Sequence, residues 1–223
     1  METAIGQLKV TDCSTRMWPC IVLAVLGAIV HCQGQGTVLI TFDGPPLQPR
    51  GTAYYVQQYY EAGIWCRPLG VVGPGNGFGR VGGGLTPLPE NGSAYLDALV
   101  GDSLAFSFVN ESVFGLRSVD LAEYSTVVPN AATVEFVGYR LDGSVVTSVF
   151  TTDGIIDGTG PLADFQTFYF GPEFSGLTRV EVPIPGWSLD NLVVSIPEPG
   201  TGALAIVGAT YLALRFLKRR ALR

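Results

Sequence analysis

The sequence predicts an all-β body: a two-sheet antiparallel sandwich of jelly-roll type, flanked by an N-terminal signal segment and a C-terminal transmembrane helix. Three observations predict it. Apolar and polar residues alternate with period two in run after run along the middle of the chain. The runs are separated by turn chemistry, drawn from 29 Gly and 15 Pro in 223 residues. No apolar helical stripe of ten or more residues appears between the two ends.

The first element is the uncharged run Trp18–Val30, thirteen apolar residues after Arg16. It is too short to cross a bilayer comfortably, and a cation followed by 7–15 apolar and then small residues makes a secretory signal. Residues 1–34 are therefore read as the signal region, with cleavage after Cys32 or Gly34 and Met17 as an alternative start. Cys32 does not suit a lipoprotein, because His31 stands where a small residue should precede it.

Residues 35–196 form the sandwich. "TVLITFD" (37–43) is β-branched and ends at a Gly-Pro-Pro turn. "TAYYVQQYY" and "AYLDAL" suit strands, and "SLAFSF" (103–108) and "LRSVDLAEY" (116–124) alternate cleanly. "TVEFVGYRLDGSVVTSVFT" (133–151) is the strongest hairpin, with Asp142-Gly143 at its tip. "FQTFYF", "LTRVEV" and "LDNLVVSI" complete a set of about nine strands. The glycine-dense "GPGNGFGRVGGG" (73–84) contains a G-x-G-x-x-G spacing, but without a βαβ context it reads as a mobile surface loop rather than a cofactor loop.

Residues 197–223 open with Pro197, Glu198 and Pro199, continue in the apolar run 201–217 and end in a cationic tail that includes Arg215, Lys218, Arg219 and Arg220. As a helix the run spans ~25 Å. That is short of a ~30 Å hydrocarbon core, and the flanking cations can reach the interface. Cations stay on the cytoplasmic side, which leaves the body outside, where the signal segment also places it.

These three parts, in this order, resemble the PEP-CTERM sorting signal. The resemblance implies export in a Gram-negative bacterium that makes extracellular polysaccharide, with processing near the Pro-Glu-Pro by a membrane-embedded exosortase. It implies membrane anchoring followed by release to the cell surface or beyond. "ITFDG" and "LDNLVV" give the body a likeness to the carbohydrate-binding-like jelly rolls found ahead of such signals.

Composition narrows the chemistry. Between Gln33 and Ile196 there are six Arg, no Lys and sixteen carboxylates, a net charge of −10. Such a body has no basic stripe for nucleic acid. His31 is the only histidine, so the mature body lacks Ser-His-Asp or Cys-His pairs, a lysine Schiff base and ordinary zinc ligands. Cys66 reads as a small buried hydrophobe. A carboxylate-based glycosidase stays open in principle. Asp120 and Glu123 make a poor dyad, since their spacing sets them on opposite faces of a strand. The body is read as non-catalytic: a matrix protein or, alternatively, a module that binds polysaccharide.

Two sites are expected. Trp65, Trp187 and Tyr59 are candidates for a sugar platform, because flat aromatic faces stack on sugar rings. Asp43 ends the first strand and Asp190 opens the last, so antiparallel pairing of the chain ends would bring the two carboxylates together. A proton or a cation must then join them. Glu61 and turn carbonyls could complete a calcium (Ca2+) site. The jelly-roll likeness implies such an ion near the chain ends. In the alternative, Asp43 and Asp190 simply cap their own turns.

Overall fold

The computed structural model describes residues 35–69, 77–85, 87–98, 103–125, 130–155, 164–197 and 211. The signal segment, Glu198, Pro199 and the tail cations lie outside the described residues. Among the described residues no helix is long and apolar enough to cross a membrane.

Among the described residues the alternating runs form thirteen strands: β1 (Gln35–Ile40), β2 (Ala53–Val56), β3 (Tyr59–Glu61), β4 (Ile64–Pro68), β5 (Phe78–Val81), β6 (Tyr95–Ala98), β7 (Leu104–Phe108), β8 (Gly115–Glu123), β9 (Thr133–Arg140), β10 (Val145–Thr151), β11 (Gln166–Tyr169), β12 (Leu177–Val182) and β13 (Trp187–Pro197). One sheet runs β11-β8-β13-β6-β5-β2, with β1 also paired to β13; the other runs β10-β9-β12-β7-β4-β3. Every pairing is antiparallel. From β6 to β9, and again from β10 to β13, the chain passes between the sheets with nearly every strand, a jelly-roll-like winding.

The first and last strands pair as expected. β1 lies along the second half of β13, from Gln35 opposite Pro197 to Ile40 opposite Leu192. Asp142-Gly143 turns the β9–β10 hairpin, and Gly143 takes φ +81°, which a residue with a Cβ adopts only under strain.

Two expectations change. "TAYYVQQYY" breaks at Gln57-Gln58 into β2 and β3, which belong to different sheets. The glycine-dense stretch is not simply a surface loop: Phe78–Val81 is a strand of the first sheet, with Phe78 and Arg80 buried. Glycine is needed there because the chain runs against its neighbours. A Cβ on Gly77 would sit 2.5 Å from the Val56 carbonyl, and one on Gly82 would collide with the Pro49 carbonyl.

The main core lies between the sheets. Leu116, Val119, Leu121, Leu189 and Val194 of the first sheet meet Leu104, Phe106, Phe136, Val180 and Val182 of the second. A smaller cluster of Val81, Tyr95, Ala122 and Phe165, packed by Leu85 and Leu88, lies on the other side of the first sheet. All four residues of β6 are therefore buried, because Leu96 and Ala98 face the main core and Tyr95 faces the outer cluster.

Candidate functional site

The aromatic stretch from Tyr54 to Trp65 is divided by the change of sheet at Gln57-Gln58. Tyr54 and Tyr55 stand half-exposed on β2, at the edge of the first sheet. Tyr59 turns inward and is 4% exposed; its ring lies 5.6 Å from Phe42, with the Arg80 guanidinium 4.7 Å from its centre. Its hydroxyl accepts from the Gly44 N–H at 3.0 Å and donates to Glu61 Oε2 at 2.9 Å. Burial, and then the Glu61 charge, push that hydroxyl far above the ordinary tyrosine range.

Tyr60 and Trp65 face outward from the second sheet. They are cross-strand partners with ring centres 5.0 Å apart, and Tyr60 is 48% exposed. Alternation gives the reason: Ile64 and Cys66 point into the core, so Trp65 and Arg67 point out. The Arg67 guanidinium stacks on Trp65 at 4.7 Å and donates no hydrogen bond to a described residue.

The sheet register extends this surface. Trp65 is opposite Ser107; Val180 is opposite Phe106, which sets Arg179 beside Ser107; and Arg179 is opposite Tyr139. Tyr60, Trp65, Ser107, Arg179 and Tyr139 thus form one row across five strands, ~19 Å long at ~4.8 Å per interval. At its far end the Arg179 guanidinium covers Tyr139 at 4.6 Å and pairs with Glu181 at 2.6 Å. The Tyr139 hydroxyl donates to Glu181 Oε2 at 2.8 Å, and that bond raises its pKa.

The remaining expected residues fall elsewhere. Trp187 is fully buried and belongs to the main core, and its Nε1–H donates to the Ile184 carbonyl at 2.7 Å. Neither Trp187 nor Tyr59 presents a ring to solvent, so of the expected platform only Trp65 remains on the surface, joined by Tyr60.

No family model and no curated protein matches the chain. Solved structures similar over 73% of it include three carbohydrate-binding modules. One is a mutant of CBM29-2, a family 29 carbohydrate-binding module, 11% identical with a TM-score of 0.33 over 86% of that chain. Another is the family 11 carbohydrate-binding module from Clostridium thermocellum in complex with a β-1,3-1,4-mixed-linked tetrasaccharide, 10% identical with a TM-score of 0.27 over 96% of that chain. The third is the family 11 module of a cellulosomal cellulase from the same organism, 9% identical with a TM-score of 0.26 over 95% of that chain. These likenesses identify no residue of this chain.

The pairing of the first and last strands does bring Asp43 and Asp190 to one place, around the Asn91–Ala94 turn. Asp43 Oδ1 accepts from the Ala94 N–H at 2.8 Å. Asp190, fully buried, accepts from Asn91 Nδ2, from Ser93 Oγ at 2.8 Å and from the Asn191 N–H at 2.7 Å. Burial pushes its carboxyl up to about 7; the Asp43 charge adds to the shift and the three donors oppose it. Glu61 does not join the pair. Its oxygens take the Phe42 N–H at 2.9 Å, the Thr41 hydroxyl at 3.2 Å and Tyr59. Among the described residues no group of three or more His, Cys, Asp or Glu is placed to hold a metal ion.

Sequence reasoning missed Arg80. It is 2% exposed and donates to the Phe42 and Pro46 carbonyls and, at 2.7 Å, to the Gly44 carbonyl. Its one signal was a lone cation in a stretch read as a loop.

Proposed function

We propose that the chain is an exported, non-catalytic polysaccharide-binding protein, which grips its ligand on the outer face of the second sheet and is delivered through its C-terminal PEP-CTERM signal by an exosortase-type enzyme. The row Tyr60–Trp65–Ser107–Arg179–Tyr139 carries the binding reading. It sets flat rings at both ends of a ~19 Å track with hydrogen-bonding groups between them. Such a track suits an extended polymer, whose rings stack on aromatic faces while its hydroxyls meet fixed donors and acceptors. Glu181, held by Arg179 and Tyr139, supplies an oriented acceptor beside it.

Catalysis fits less well. A glycosidase needs two carboxylates facing the scissile bond across a cleft. Asp190, the carboxyl tuned to hold a proton near neutrality, is fully buried and out of reach of a polymer. A second reading, a matrix protein without a glycan ligand, is favoured by Arg67 and Arg179, which already cover one face of Trp65 and of Tyr139.

Affinity electrophoresis of the purified protein in extracellular polysaccharide tests the reading. Retardation of wild type, weakened about tenfold in Trp65→Ala, corresponds to the loss of ~1.4 kcal/mol of stacking. Equal mobility of the two proteins overturns it.

A further inference from the structure

The geometry points to a second sugar site on the opposite side of the sandwich, so that one domain bridges two polysaccharide chains. The proposal rests on the reading of the second sheet's outer face as a glycan track.

A shallow groove of ≈ 250 Å³ lies against the edge of the first sheet, lined by Tyr54, Tyr55, Gly79, Asp97 and Tyr124 among others. Its orientation follows from strand alternation. Val56, Phe78, Leu96 and Ala98 face the main core, so Tyr55, Gly79 and Asp97 face outward. In the register Tyr55 is opposite Gly79, Gly79 opposite Asp97 and Asp97 opposite Ser188, which makes one row across four strands.

Each member has a chemical part. The Tyr55 ring lies 2.6 Å from where a Cβ on Gly77 would be, so this glycine lets the ring settle against the sheet. Gly79 leaves the floor open beside it. Asp97, 4% exposed, sets a carboxylate at the base, and a carboxylate accepts strongly from sugar hydroxyls. One position further, the buried Ser188 hydroxyl has no hydrogen-bond partner among the described residues. The Tyr55 ring, a bare floor and a carboxylate base suit a pyranose ring lying flat.

The same features set the ligand class. Tyr54 and Tyr55 are consecutive on a strand and project to opposite sides, so their rings cannot enclose one point as a cage for a quaternary ammonium does. Asp97, in a body of net charge −10, repels acidic sugars. The ligand is a neutral, hydroxyl-rich polysaccharide.

The groove and the Tyr60–Trp65 track look away from each other across two packed sheets. With ~10 Å between sheets and side chains on both outer faces, one glycan strand does not occupy both. Two strands held on opposite faces are cross-linked.

Gly79→Val tests this with little damage to the fold. A Cβ at Gly79 meets only Asp97, at 3.4 Å, and valine favours strands, while the added methyls fill the groove floor. Beads coated with neutral glucan are mixed with the full-length protein in detergent, and bead clustering is read beside the binding of a soluble mixed-linked tetrasaccharide. Wild type is expected to bind two tetrasaccharides and cluster beads. Gly79→Val and Trp65→Ala should each bind one and lose clustering at least tenfold. Tyr55→Ala should repeat the groove result independently of any folding defect in Gly79→Val.

If Gly79→Val and Tyr55→Ala cluster beads like wild type while Trp65→Ala does not bind, the groove is overturned and the track stands. If Trp65→Ala binds like wild type and the groove variants do not, the track reading fails, and bridging with it. Binding of choline in place of the tetrasaccharide, lost in Tyr55→Ala, overturns the sugar assignment.

Discussion

Arg80 and Asp190 are both buried. Arginine cannot shed its proton, so Arg80 keeps its charge and spends its donors on the carbonyls of the 42–46 segment, with the Tyr59 ring against its face. Asp190 can change state, and burial favours the protonated form. The sign of the pH effect follows. Below its ordinary value of 3.8 the carboxyl is protonated whether the chain is folded or not. Between there and about 7 the folded protein holds a proton that the unfolded chain has released, so stability falls as pH rises. Above about 7 the loss is complete. The slope is at most ~1.4 kcal/mol per pH unit. Thermal melts between pH 4 and 8 should show this decline in wild type, and Asp190→Asn should remove it; parallel curves for the two proteins would refute the assignment. The same melts decide what joins Asp43 to Asp190. If saturating calcium raises the wild-type melting temperature at pH 8 and EDTA lowers it, a cation joins them; if neither changes it, no cation does, and the pair is relieved by the Asp190 proton only below about 7.

At the scale of elements, β5 shows what glycine does in this chain. The strand is thin because its neighbours approach it closely. The Gly82 N–H bonds the Thr52 carbonyl at 2.9 Å and the Gly51 N–H bonds the Gly83 carbonyl at 2.7 Å, which clamps the end of β5 against the turn before β2. A methyl on Gly82 has the Pro49 backbone in its way, whereas one on Gly143 at the hairpin tip meets open space. Gly143→Ala should therefore cost only the left-handed backbone penalty, ~1–2 kcal/mol. Gly82→Ala should cost more, since backbone must move. Denaturant midpoints give the order, and a Gly82→Ala midpoint at or above that of Gly143→Ala would contradict the clamp.

At the scale of the whole molecule, β13 ends at Pro197, which is also the first residue of the Pro-Glu-Pro. The last strand of the sandwich therefore ends at the first residue of the proposed sorting signal. In a strain with an active exosortase, mass spectrometry of the surface form should find a C-terminus near Pro199, and an intact Arg223 would sink the sorting proposal. Replacing Lys218, Arg219 and Arg220 by Glu should disturb localisation far more than Gly79→Val does, because tail cations set orientation.

Much of this was legible in the sequence. Period-two alternation located the strands, Asp142-Gly143 marked the hairpin, and the positions of Asp43 and Asp190 near the chain ends foretold their meeting. These are local signals, or follow from the pairing of the first and last strands. What only the tertiary structure decided is which face each residue shares and what covers it. Alternation says that Tyr59 and Tyr60 point opposite ways, but not which way is inward. It says nothing of the sheet change at Gln57-Gln58, which sends Tyr55 and Trp65 to opposite sides of the protein. Trp187, read as a turn residue free to stack on sugar, is core, because it lies on β13 between β6 and β8 and its ring joins the cluster between the two sheets. Arg80 is buried because the 42–46 carbonyls, some forty residues away in sequence, converge on it. The pattern along a strand depends on its own side chains, whereas burial depends on the neighbours that long-range pairing brings, and no single stretch of sequence contains them.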